Sequence, residues 1–359
     1  MKLLIFGTGD KTRQVLRGIE NILQYVDIVG FIDNDDEKQG RVFYDRKIYH
    51  PKQIKDINYD KICILLTQFQ DVYYQLVHGY HIAPEEIIDR EELLKYLMTE
   101  RYKNTEDRDI RDTLKYWEEN ALSYFNQHEY ADATCDMVFW DEECNMPYII
   151  YKGKRLYYPR TYTGFIYEED HIYVMGYREE EQADGSPHKY LTDEINIAKG
   201  DVVVDAGAME GDFALEYIED IGRLYIFECD PEWVKALKMT YRNYADKVVI
   251  TPKMLGDRVD EHTTTLTEAI SDGKVDFIKM DIEGAEVSAL LTAEELLQNN
   301  DVKCAICTYH KKWDAAILEK FFQENGYRTS FSNGHMIFYI DKDIFSTLDF
   351  RKGVIYAKR

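Results

Sequence analysis

Positive charge is scarce in this sequence of 359 residues, which has 44 Lys and Arg against 67 Asp and Glu and a formal net charge of -23. So acidic a chain is repelled by polyanions, which excludes nucleic acids and anionic membrane surfaces as expected partners. The sequence also has no apolar run that approaches the length of a membrane span. Residues 1–6 lead directly to Gly7 and Asp10, which predicts a first strand rather than a signal peptide. We therefore expect a cytoplasmic protein without a membrane span.

The six cysteines lack the regular spacing of a disulfide framework. Cys304 and Cys307 form a Cys-x-x-Cys, but they lie in an apolar, strand-like run, where residues three apart point to opposite faces. Both are predicted to be core cysteines of a reduced protein. The length of the chain is enough for about two domains, each with a sizeable core.

Two glycines lie where a strand is predicted to turn into a helix, in residues 201–212, Asp-Val-Val-Val-Asp-Ala-Gly-Ala-Met-Glu-Gly-Asp. The β-branched run at 202–204 predicts a buried parallel strand, and a helix is predicted to begin near Phe213. Gly207 and Gly211 allow the turn between them and a close approach to a ligand. On its own, the pattern fits an ordinary strand-to-helix turn equally well.

A second acidic strand end strengthens the case for a nucleoside cofactor. Residues 223–228 predict a strand that ends in Glu228, which follows Gly207 by about 20 residues, where an acid can bind both hydroxyls of a ribose. This series suits NAD or S-adenosylmethionine. The Gly-x-x-x-Gly spacing and the strand-borne Asp205 favour S-adenosylmethionine.

Four motifs together resemble the FkbM-type methyltransferases: residues 205–213, 227–231, 279–286 and 325–327. The specific one is Lys-x-Asp-x-Glu-Gly-Ala-Glu at 279–286, since the others occur in many class I methyltransferases. The resemblance covers roughly residues 186–340. It implies an α/β protein with a class I, Rossmann-like methyltransferase domain, a mixed seven-stranded sheet and S-adenosylmethionine as cofactor. It also implies O-methylation of a sugar or a similar scaffold.

Seven residues are expected to bind the cofactor by this resemblance: Asp205, Gly207, Ala208, Gly211, Glu228, Asp257 and His188. Asp257 occupies the position that contacts the adenine amino group, although Gly256 stands where the family more often has serine. His188 belongs to a Ser-Pro-His-Lys-Tyr motif that resembles one in family members of this architecture. It either folds over the cofactor near the methyl group or forms a structural turn with a hydrogen-bonded histidine.

Methyl transfer needs alignment of donor and acceptor and the removal of one proton, so a base should lie near the acceptor hydroxyl. The candidates are His310 and Asp281. Lys279 shares a strand face with Asp281 and would hold it ionised or orient the acceptor. Glu283 adds a further carboxylate. It either contributes to the reaction or, like Glu286, stabilises the start of the next helix.

Asp281 and Glu283 could together bind a divalent metal that acidifies the hydroxyl, but the sequence offers no identifiable fourth ligand, and no metal is predicted. The remaining strands are expected at 248–250, 275–281 and 304–308. Residues 327–331 and 335–340 are expected to form a terminal hairpin around the turn signal at 332–334.

Residues 1–95 predict a smaller Rossmann-like domain, with Gly7 and Gly9 after the first strand, a helix over 12–25 and Asp33 after the second strand. It resembles the nucleotide-binding N-terminal domain of several sugar-modifying enzymes. Thr12 replaces the third glycine of the dinucleotide fingerprint. The domain either binds a nucleotide or nucleotide sugar at Gly7, Gly9, Thr12 and Asp33, or only docks a partner or forms a homodimer.

Residues 96–185 are predicted to form a helical linker and a β-rich insertion or cap ahead of a methyltransferase domain at 186–359. From Glu91 to Phe125 the spacing is helical, with apolar residues at intervals of three and four. Residues 130–185 are rich in tyrosine and short alternations, and Lys152-Gly153-Lys154 predicts a hairpin turn. The tyrosines either stack on sugar faces or only pack the fold.

The predicted function is methyl transfer from S-adenosylmethionine to a hydroxyl of a small-molecule or glycan acceptor in polysaccharide biosynthesis. One alternative is a nicotinamide-dependent sugar oxidoreductase that acts through the N-terminal domain. Thr12 and the lack of identifiable hydride-transfer residues count against it. The other alternative is a non-enzymatic, cofactor-binding scaffold in polysaccharide assembly.

Overall fold

The computed structural model describes residues 1–122, 134–176, 178–270 and 272–359. The chain divides into two compact units, of which the first is Met1–Gln127 with Ile337–Phe350 and the second is His128–Met336 with Arg351–Arg359. The predicted α/β class is confirmed. The predicted domain boundaries at residues 95 and 185 remain predictions.

The first unit is built on a six-stranded sheet with the order β3-β4-β2-β1-β5-β6, parallel except at the β3 edge. Its strands are β1 (Lys2–Phe6), β2 (Asp27–Ile32), β3 (Val42–Phe43), β4 (Arg46–Tyr49), β5 (Lys61–Ile64) and β6 (Ile87–Ile88). Its α-helices are α1 (Asp10–Val15), α2 (Ile19–Ile22), α3 (Phe69–Tyr74), α4 (Arg90–Tyr102), α5 (Arg108–Tyr116) and a short helix at Ile344–Thr347. Tighter 3₁₀ turns lie at Leu16–Gly18, Asp36–Lys38, Pro51–Asp56 and Pro84–Glu86, and a π-helical turn at Gln75–Gly79.

The helix predicted over 12–25 is wrong in its extent, because the chain forms α1, a 3₁₀ turn and α2 instead. The break lies at Gly18, where an added Cβ would stand 2.1 Å from the carbonyl oxygen of Phe345. Asn21 Nδ2 also donates to the carbonyl oxygen of Ser346 at 2.6 Å. The segment at 337–350 therefore packs directly on the backbone of this helical stretch, which a straight helix predicted from local periodicity cannot anticipate.

Helix α4 begins with a capping box and carries part of the first core. The Asp89 side chain accepts from the Glu92 backbone N–H at 2.8 Å, and Glu92 accepts from the Asp89 N–H at 3.1 Å. Leu93, Leu94 and Leu97 are fully buried in the same core as β1 and β2. The predicted helical stretch runs to residue 125, and its residues 123–125 lie outside the described residues.

The second unit begins with two small antiparallel sheets, with the orders β10-β9-β8 and β11-β12-β7. Their strands are β7 (Thr134–Met137), β8 (Phe139–Asp141), β9 (Met146–Tyr151), β10 (Lys154–Tyr157), β11 (Phe165–Glu168) and β12 (His171–Gly176), and α6 (Arg178–Glu181) follows. The hairpin predicted at 152–154 is confirmed: Lys152 and Gly153 both have positive φ, at 47° and 78°, as a tight two-residue turn requires. Residues 130–133 and Tyr177 of the predicted β-rich segment lie outside the described residues.

The main sheet of the second unit has seven strands in the order β15-β14-β13-β18-β19-β21-β20. These are β13 (Val202–Ala206), β14 (Arg223–Phe227), β15 (Val248–Thr251), β18 (Phe277–Met280), β19 (Lys303–Cys307), β20 (Arg328–Phe331) and β21 (Val354–Lys358); a separate pair is β16 (Met254–Leu255) with β17 (Thr263–Thr264). The helices are α7 (Asp212–Glu216), α8 (Pro231–Thr240), α9 (Leu266–Ala269), α10 (Glu286–Leu291), α11 (Glu294–Asn299) and α12 (Asp314–Glu324), with a 3₁₀ turn at Arg242–Tyr244. β21 is antiparallel to both of its neighbours and the other strands are parallel to one another. The predicted mixed seven-stranded sheet of the class I methyltransferase fold is confirmed.

The predicted terminal hairpin is wrong in its second strand. β20 pairs with β21, whose residues lie well beyond 335–340. The Ser332-Asn333-Gly334 turn exists, with a positive φ of 74° at Gly334, but it leads to Met336, which makes an isolated bridge with Arg351. The intervening residues 337–350 belong to the first unit, where Ile337, Ile344 and Phe345 are buried.

No helix in the described part of the chain is both long and apolar enough to cross a membrane.

Candidate active site

The polar residues predicted for the site follow the carboxyl ends of four parallel strands, β13, β14, β18 and β19. Asp205 and Gly207 lie at the end of β13, Asp281 directly after β18, and His310 shortly after β19. In an open α/β sheet, this edge is where ligands bind. The sheet order places β13 between β14 and β18, so these residues converge on one region.

The glycine loop needs both of its glycines. Gly207 has a φ of +73°, and a Cβ there would lie 1.7 Å from the carbonyl oxygen of Asp281. Gly211 has a φ of +80°, and its Cβ would lie 2.4 Å from a methyl carbon of Leu237. Ala208 between them is buried. The loop is therefore packed tightly between the end of β18 and helix α8.

Asp205 and Lys279 form a buried ion pair beneath this loop. Asp205 is 0% exposed and Lys279 is 5% exposed, and Lys279 Nζ lies 3.1 Å from Asp205 Oδ1. The same ammonium donates to the carbonyl oxygen of Gly207 at 2.7 Å. Burial disfavours the charged lysine, but Asp205 and Asp281 outweigh burial and raise the Lys279 pKa. Lys279 thus holds the glycine loop in place by its hydrogen bond to Gly207, and Asp205 is the counter-ion of Lys279.

Glu228 lies at the end of β14 and faces the glycine loop. One carboxylate oxygen accepts from the Met209 backbone N–H at 3.0 Å, and the other accepts from the Asp230 N–H at 2.8 Å. Each oxygen has two lone pairs, so both keep acceptor capacity for hydroxyl donors. Asp257 is different: 61% of its side chain is exposed, and its carboxylate lies 4.0 Å from Arg258. Among the described residues, no hydrogen bond or ion pair joins Asp257 to another predicted site residue.

Asp281 is the centre of a hydrogen-bonded cluster. Its Oδ2 lies 3.2 Å from His188 Nε2 and accepts from the Tyr190 hydroxyl at 3.0 Å, while its Oδ1 accepts from the Tyr309 hydroxyl at 3.2 Å. Burial alone would raise the pKa of Asp281. The hydrogen bond from His188 and the positive charges of His188, His310 and Lys279 hold that pKa well below its usual range. Asp281 is therefore an ionised acceptor of several donors.

Neither tyrosine of this cluster was predicted as a site residue. Tyr190 closes the same Ser-Pro-His-Lys-Tyr motif that contains His188, and Tyr309 directly precedes His310. Proximity in sequence to a candidate histidine was the one signal that could have pointed to them. Their side chains are buried, so composition alone makes them indistinguishable from core tyrosines.

The segment around His188 is fixed to the end of the main sheet. Ser332 Oγ donates to the Pro187 carbonyl oxygen at 2.6 Å, and a Cβ on Gly353 would lie 1.9 Å from that same oxygen. His188 Nδ1 lies 3.6 Å from a Glu181 carboxylate oxygen. The motif is thus fixed in place with its histidine beside Asp281, which fits both alternatives for the motif, and the contact of His188 with the cofactor stays a prediction.

Burial disfavours the imidazolium form of His188, but nearby negative charge outweighs burial and raises its pKa well above the usual value. An ionised Cys307, whose Sγ lies 3.6 Å from His188 Nε2, would contribute most, followed by Asp281 and Glu181. Burial raises the pKa of the Cys307 thiol to about 12, so that thiol is neutral near pH 7. The two carboxylates therefore carry the effect on His188.

His310 lies between carboxylates on both sides of its ring. Its Nδ1 lies 3.0 Å from Glu286 Oε1, and its Nε2 lies 3.4 Å from Asp281 Oδ1 and 3.7 Å from Glu283 Oε2. The Arg351 guanidinium donates to the His310 carbonyl oxygen at 2.7 Å, which fixes the backbone. Burial lowers the pKa of His310, but the hydrogen bond and charge of Glu286 outweigh it and raise that pKa above its usual value.

Glu283 marks the open edge of the site. Its side chain is 80% exposed, and its backbone has a φ of +55°, which is uncommon for a residue with a Cβ. Burial and the charges of Asp281 and Glu286 raise the Glu283 pKa, against the opposing effect of His310. The carboxylate therefore projects beside His310 Nε2 toward solvent.

Two acids of the glycine loop, Glu210 and Asp212, were not predicted as site residues. Burial, the charge of Asp212 and that of Glu181 raise the pKa of Glu210 to about 8. Burial raises the pKa of Asp212 to about 6, although Arg178 opposes this. Strongly perturbed acids in a ligand-binding loop are typical of functional sites. In the sequence they looked only like polar loop residues.

Around Asp281, the described residues include two groups of side chains with ligand-type atoms within 4.8 Å of one another: His188, Asp281 and Cys307, and Asp281, Glu286 and His310. In each group, a histidine nitrogen is already close to a carboxylate of the same group. Hydrogen bonding accounts for both groupings.

The first unit contains the residues predicted for a nucleotide. Asp33 Oδ2 accepts from the Thr8 hydroxyl at 2.5 Å and lies 3.0 Å from Lys38 Nζ. Burial raises the Asp33 pKa, but these partners and the Asp35 N–H outweigh it and lower that pKa. The buried Thr12 hydroxyl donates to the Gly7 carbonyl oxygen at 3.0 Å, whereas a Cβ on Gly9 would meet nothing within 4 Å. A ribose would compete with the chain's own donors at Asp33, and the nucleotide site stays a prediction.

Comparison with known proteins gives two family matches. Residues 1–93 match the family described as C2185-like, N-terminal, and residues 253–329 match the family described as Methyltransferase FkbM domain. The second match confirms the predicted FkbM resemblance, and with it the methyltransferase class, over those residues. A search of curated proteins gave no match.

Three solved structures illustrate the structural likeness. The methyltransferase FkbM from Methylobacillus flagellatus KT is 15% identical, with a TM-score of 0.43 over 99% of this chain and 89% of that one. The precorrin-6y C5,15-methyltransferase from Geobacter metallireducens GS-15 is 12% identical, with a TM-score of 0.34 over 46% of this chain and 85% of that one. A SAM-dependent methyltransferase from Geobacter sulfurreducens, in complex with S-adenosyl-L-homocysteine, is 14% identical, with a TM-score of 0.27 over 37% of this chain and 60% of that one.

Proposed function

We propose that this chain, whose residues 253–329 match the FkbM methyltransferase domain, transfers a methyl group from S-adenosylmethionine to a hydroxyl of a sugar or glycan precursor. The observation that carries the proposal is the convergence of a tightly held glycine loop and the Asp281–His310 pair at the carboxyl edge of one sheet. The sugar acceptor rests on the FkbM resemblance.

The residues of the glycine loop fit this cofactor. Glu228 offers carboxylate oxygens with remaining acceptor capacity, which suits the two hydroxyls of a ribose. Glu210 and Asp212 have raised pKa values, and a bound ligand with a sulfonium and an ammonium group would favour the ionised form of both. Exposed Asp257 remains available for the adenine amino group. The cofactor supplies an activated methyl group, so the protein's task is to align the acceptor and manage one proton.

His310 is the better candidate for the base. Asp281 is held ionised by His188, Tyr190 and Tyr309, so its affinity for another proton is low. His310 Nε2 is buried, and it lies 3.7 Å from a carboxylate oxygen of Glu283, whose side chain is 80% exposed. The acceptor's proton would pass to Nε2, and the resulting imidazolium would be stabilised by Asp281 as the transition state develops. Because the pKa of His310 is raised, the neutral base becomes more abundant as pH rises.

Calorimetric titration tests the proposal, with S-adenosylhomocysteine and NAD as separate ligands of the full chain. Binding of S-adenosylhomocysteine should be lost in Glu228→Ala and retained in Glu232→Ala, which removes a nearby acid of helix α8. NAD should not bind. If NAD binds instead and Asp33→Ala abolishes that binding, the chain is an oxidoreductase that uses its N-terminal domain.

A second experiment separates an enzyme from a scaffold. Methyl transfer from labelled S-adenosylmethionine to a panel of glycan precursors should fall on the order of 10²-fold in His310→Ala, the lower end of typical acid–base contributions. Equal transfer by wild type, His310→Ala and Asp281→Ala would exclude this base and favour a cofactor-binding scaffold.

A further inference from the structure

Glu286 is the most deeply buried carboxylate next to the proposed base. It is 0% exposed, and its Oε1 accepts from the Ile282 backbone N–H at 2.8 Å and lies 3.0 Å from His310 Nδ1. A buried carboxylate is costly unless it is paired and hydrogen-bonded. In this position the pairing partner is the imidazole of His310, which is itself 4% exposed.

We propose that Glu286 is a positioning residue for methyl transfer: it holds the proton of His310 on Nδ1, so that Nε2 faces Asp281, Glu283 and the acceptor. This inference rests on the proposed function, because it assigns Glu286 a part in the same proton transfer. A carboxylate on one ring nitrogen fixes the tautomer of a catalytic histidine and stabilises the imidazolium that forms. Glu286 contacts the histidine and not the reacting atoms.

Among the groups around His310, Glu286 is the one placed to hold a proton on Nδ1. Asp281 and Glu283 both lie on the Nε2 side of the ring, and Arg351 bonds the backbone carbonyl oxygen rather than the ring. Lys311 donates to the carbonyl oxygen of Gly284. Asp314 of α12 is a further buried acid, and burial together with the charge of Glu286 raises its pKa to about 6. Of the described acids, only Glu286 is within 3.0 Å of Nδ1.

A purely structural role for Glu286 would be the stabilisation of a helix start, where acids are favoured. Glu294 provides the comparison, since it is also the first residue of its helix, α11, but it is exposed. An acid that only stabilised a helix start would gain nothing from complete burial against a histidine. The contrast between these two glutamates makes the two roles separable by experiment.

The test uses Glu286→Gln, Glu286→Ala and the matched control Glu294→Gln in the full chain. Glu286→Gln keeps an oxygen for the Ile282 N–H but removes the charge, so His310 should titrate at lower pH when followed by NMR in the ligand-free protein. The acid limb of the kcat/KM profile should move to lower pH by the same amount. Glu286→Ala removes the whole side chain that holds the His310 ring, so kcat should fall on the order of 10²-fold. Glu286→Gln keeps a side chain of the same size and should recover part of this loss. Glu294→Gln should match wild type in all three measurements.

Titration of His310 at the same pH in wild type and Glu286→Gln would overturn the inference, and so would a proton on Nε2 in the nitrogen chemical shifts of the neutral wild-type ring. The latter measurement needs no variant, so it decides the question even where Glu286→Ala fails to fold. A shifted His310 titration without methyl transfer to any acceptor would support the positioning of His310 while counting against the proposed function. Methyl transfer with the same pH profile in wild type and Glu286→Gln would support the proposed function while counting against the positioning role of Glu286.

Discussion

Replacing Lys279 by methionine should destabilise the second unit more than any substitution of an exposed charge. The substitution removes the ammonium that lies 3.1 Å from Asp205 Oδ1 and leaves a carboxylate that is 0% exposed without its counter-ion. Removal of one partner from a buried ion pair typically costs about 3–5 kcal/mol. The same substitution removes the hydrogen bond to the Gly207 carbonyl oxygen, which is included in that range. Because domains are stable by only about 5–15 kcal/mol, the loss is a large fraction of the total.

Urea unfolding followed by tryptophan fluorescence measures this loss, with the transitions of the two compact units fitted separately. The double variant Asp205→Asn with Lys279→Met should recover most of the lost stability, because it leaves no unpaired charge. The control is Lys274→Met, which should cost about 0–1 kcal/mol, because the Lys274 side chain is 60% exposed and its ammonium lies 3.6 Å from Asp276. A loss below about 1 kcal/mol for Lys279→Met, or a double variant as unstable as the summed single variants, would refute the reasoning. S-adenosylhomocysteine affinity should fall in parallel, since Lys279 holds the glycine loop.

Two further predictions concern the same edge of the sheet. Gly207→Ala should lower the free energy of unfolding by more than about 3 kcal/mol, because the new Cβ adds a backbone clash at 1.7 Å to the strain of a left-handed backbone. Gly200→Ala is the control: Gly200 has a φ of +89° and open space around it, so this variant should show only the strain, about 1–2 kcal/mol. Equal losses in the two variants would contradict the prediction. His310→Gln should destabilise the chain more at about pH 5.5 than at about pH 9.5. The pKa of His310 is higher in the folded than in the unfolded chain, so its charged form stabilises the fold. This stabilisation is complete below the unfolded pKa, near 6.5, and is lost as pH rises through the folded pKa. Denaturant midpoints of both proteins at the two pH values check it, and a pH-independent difference would contradict the charged state of His310.

The main sheet was predictable because its strands are short, apolar and bounded by polar residues. The run at 202–204 and the acidic strand end at Glu228 each signal a buried parallel strand without any knowledge of the partner. The terminal hairpin was not predictable in the same way. The Ser-Asn-Gly sequence predicts that the chain reverses there. It does not indicate that the next strand of the sheet begins only at Val354.

The candidate site was predicted as a set of residues but not as a network. Asp281, Lys279 and Glu283 were chosen from one motif, and His310 was chosen from the end of a later strand. In the structure His310 lies beside Asp281 and Glu283, and the charge of Asp281 acts on Lys279. The pairing of Asp205 with Lys279, and the contact of His188 with Asp281, join residues far apart in the chain, and no spacing rule encodes them. Tyr190 and Tyr309 were missed because a buried tyrosine that donates to a carboxylate has the same sequence pattern as one that only packs.

Residues 337–350 belong to the first unit although the chain before and after them belongs to the second, and this has a consequence for biosynthesis. Strand β21 lies between β19 and β20 in the sheet but is made after residues 337–350, so it must emerge from the ribosome before the sheet can close. Folding of the first unit is delayed as well, because part of its core comes from this late segment, namely Ile337, Ile344, Phe345 and Leu348. Neither unit can complete its fold while the nascent chain ends before residue 337. A fragment cut after residue 127 would therefore need these residues supplied, as a peptide or by circular permutation, to become a stable expression product.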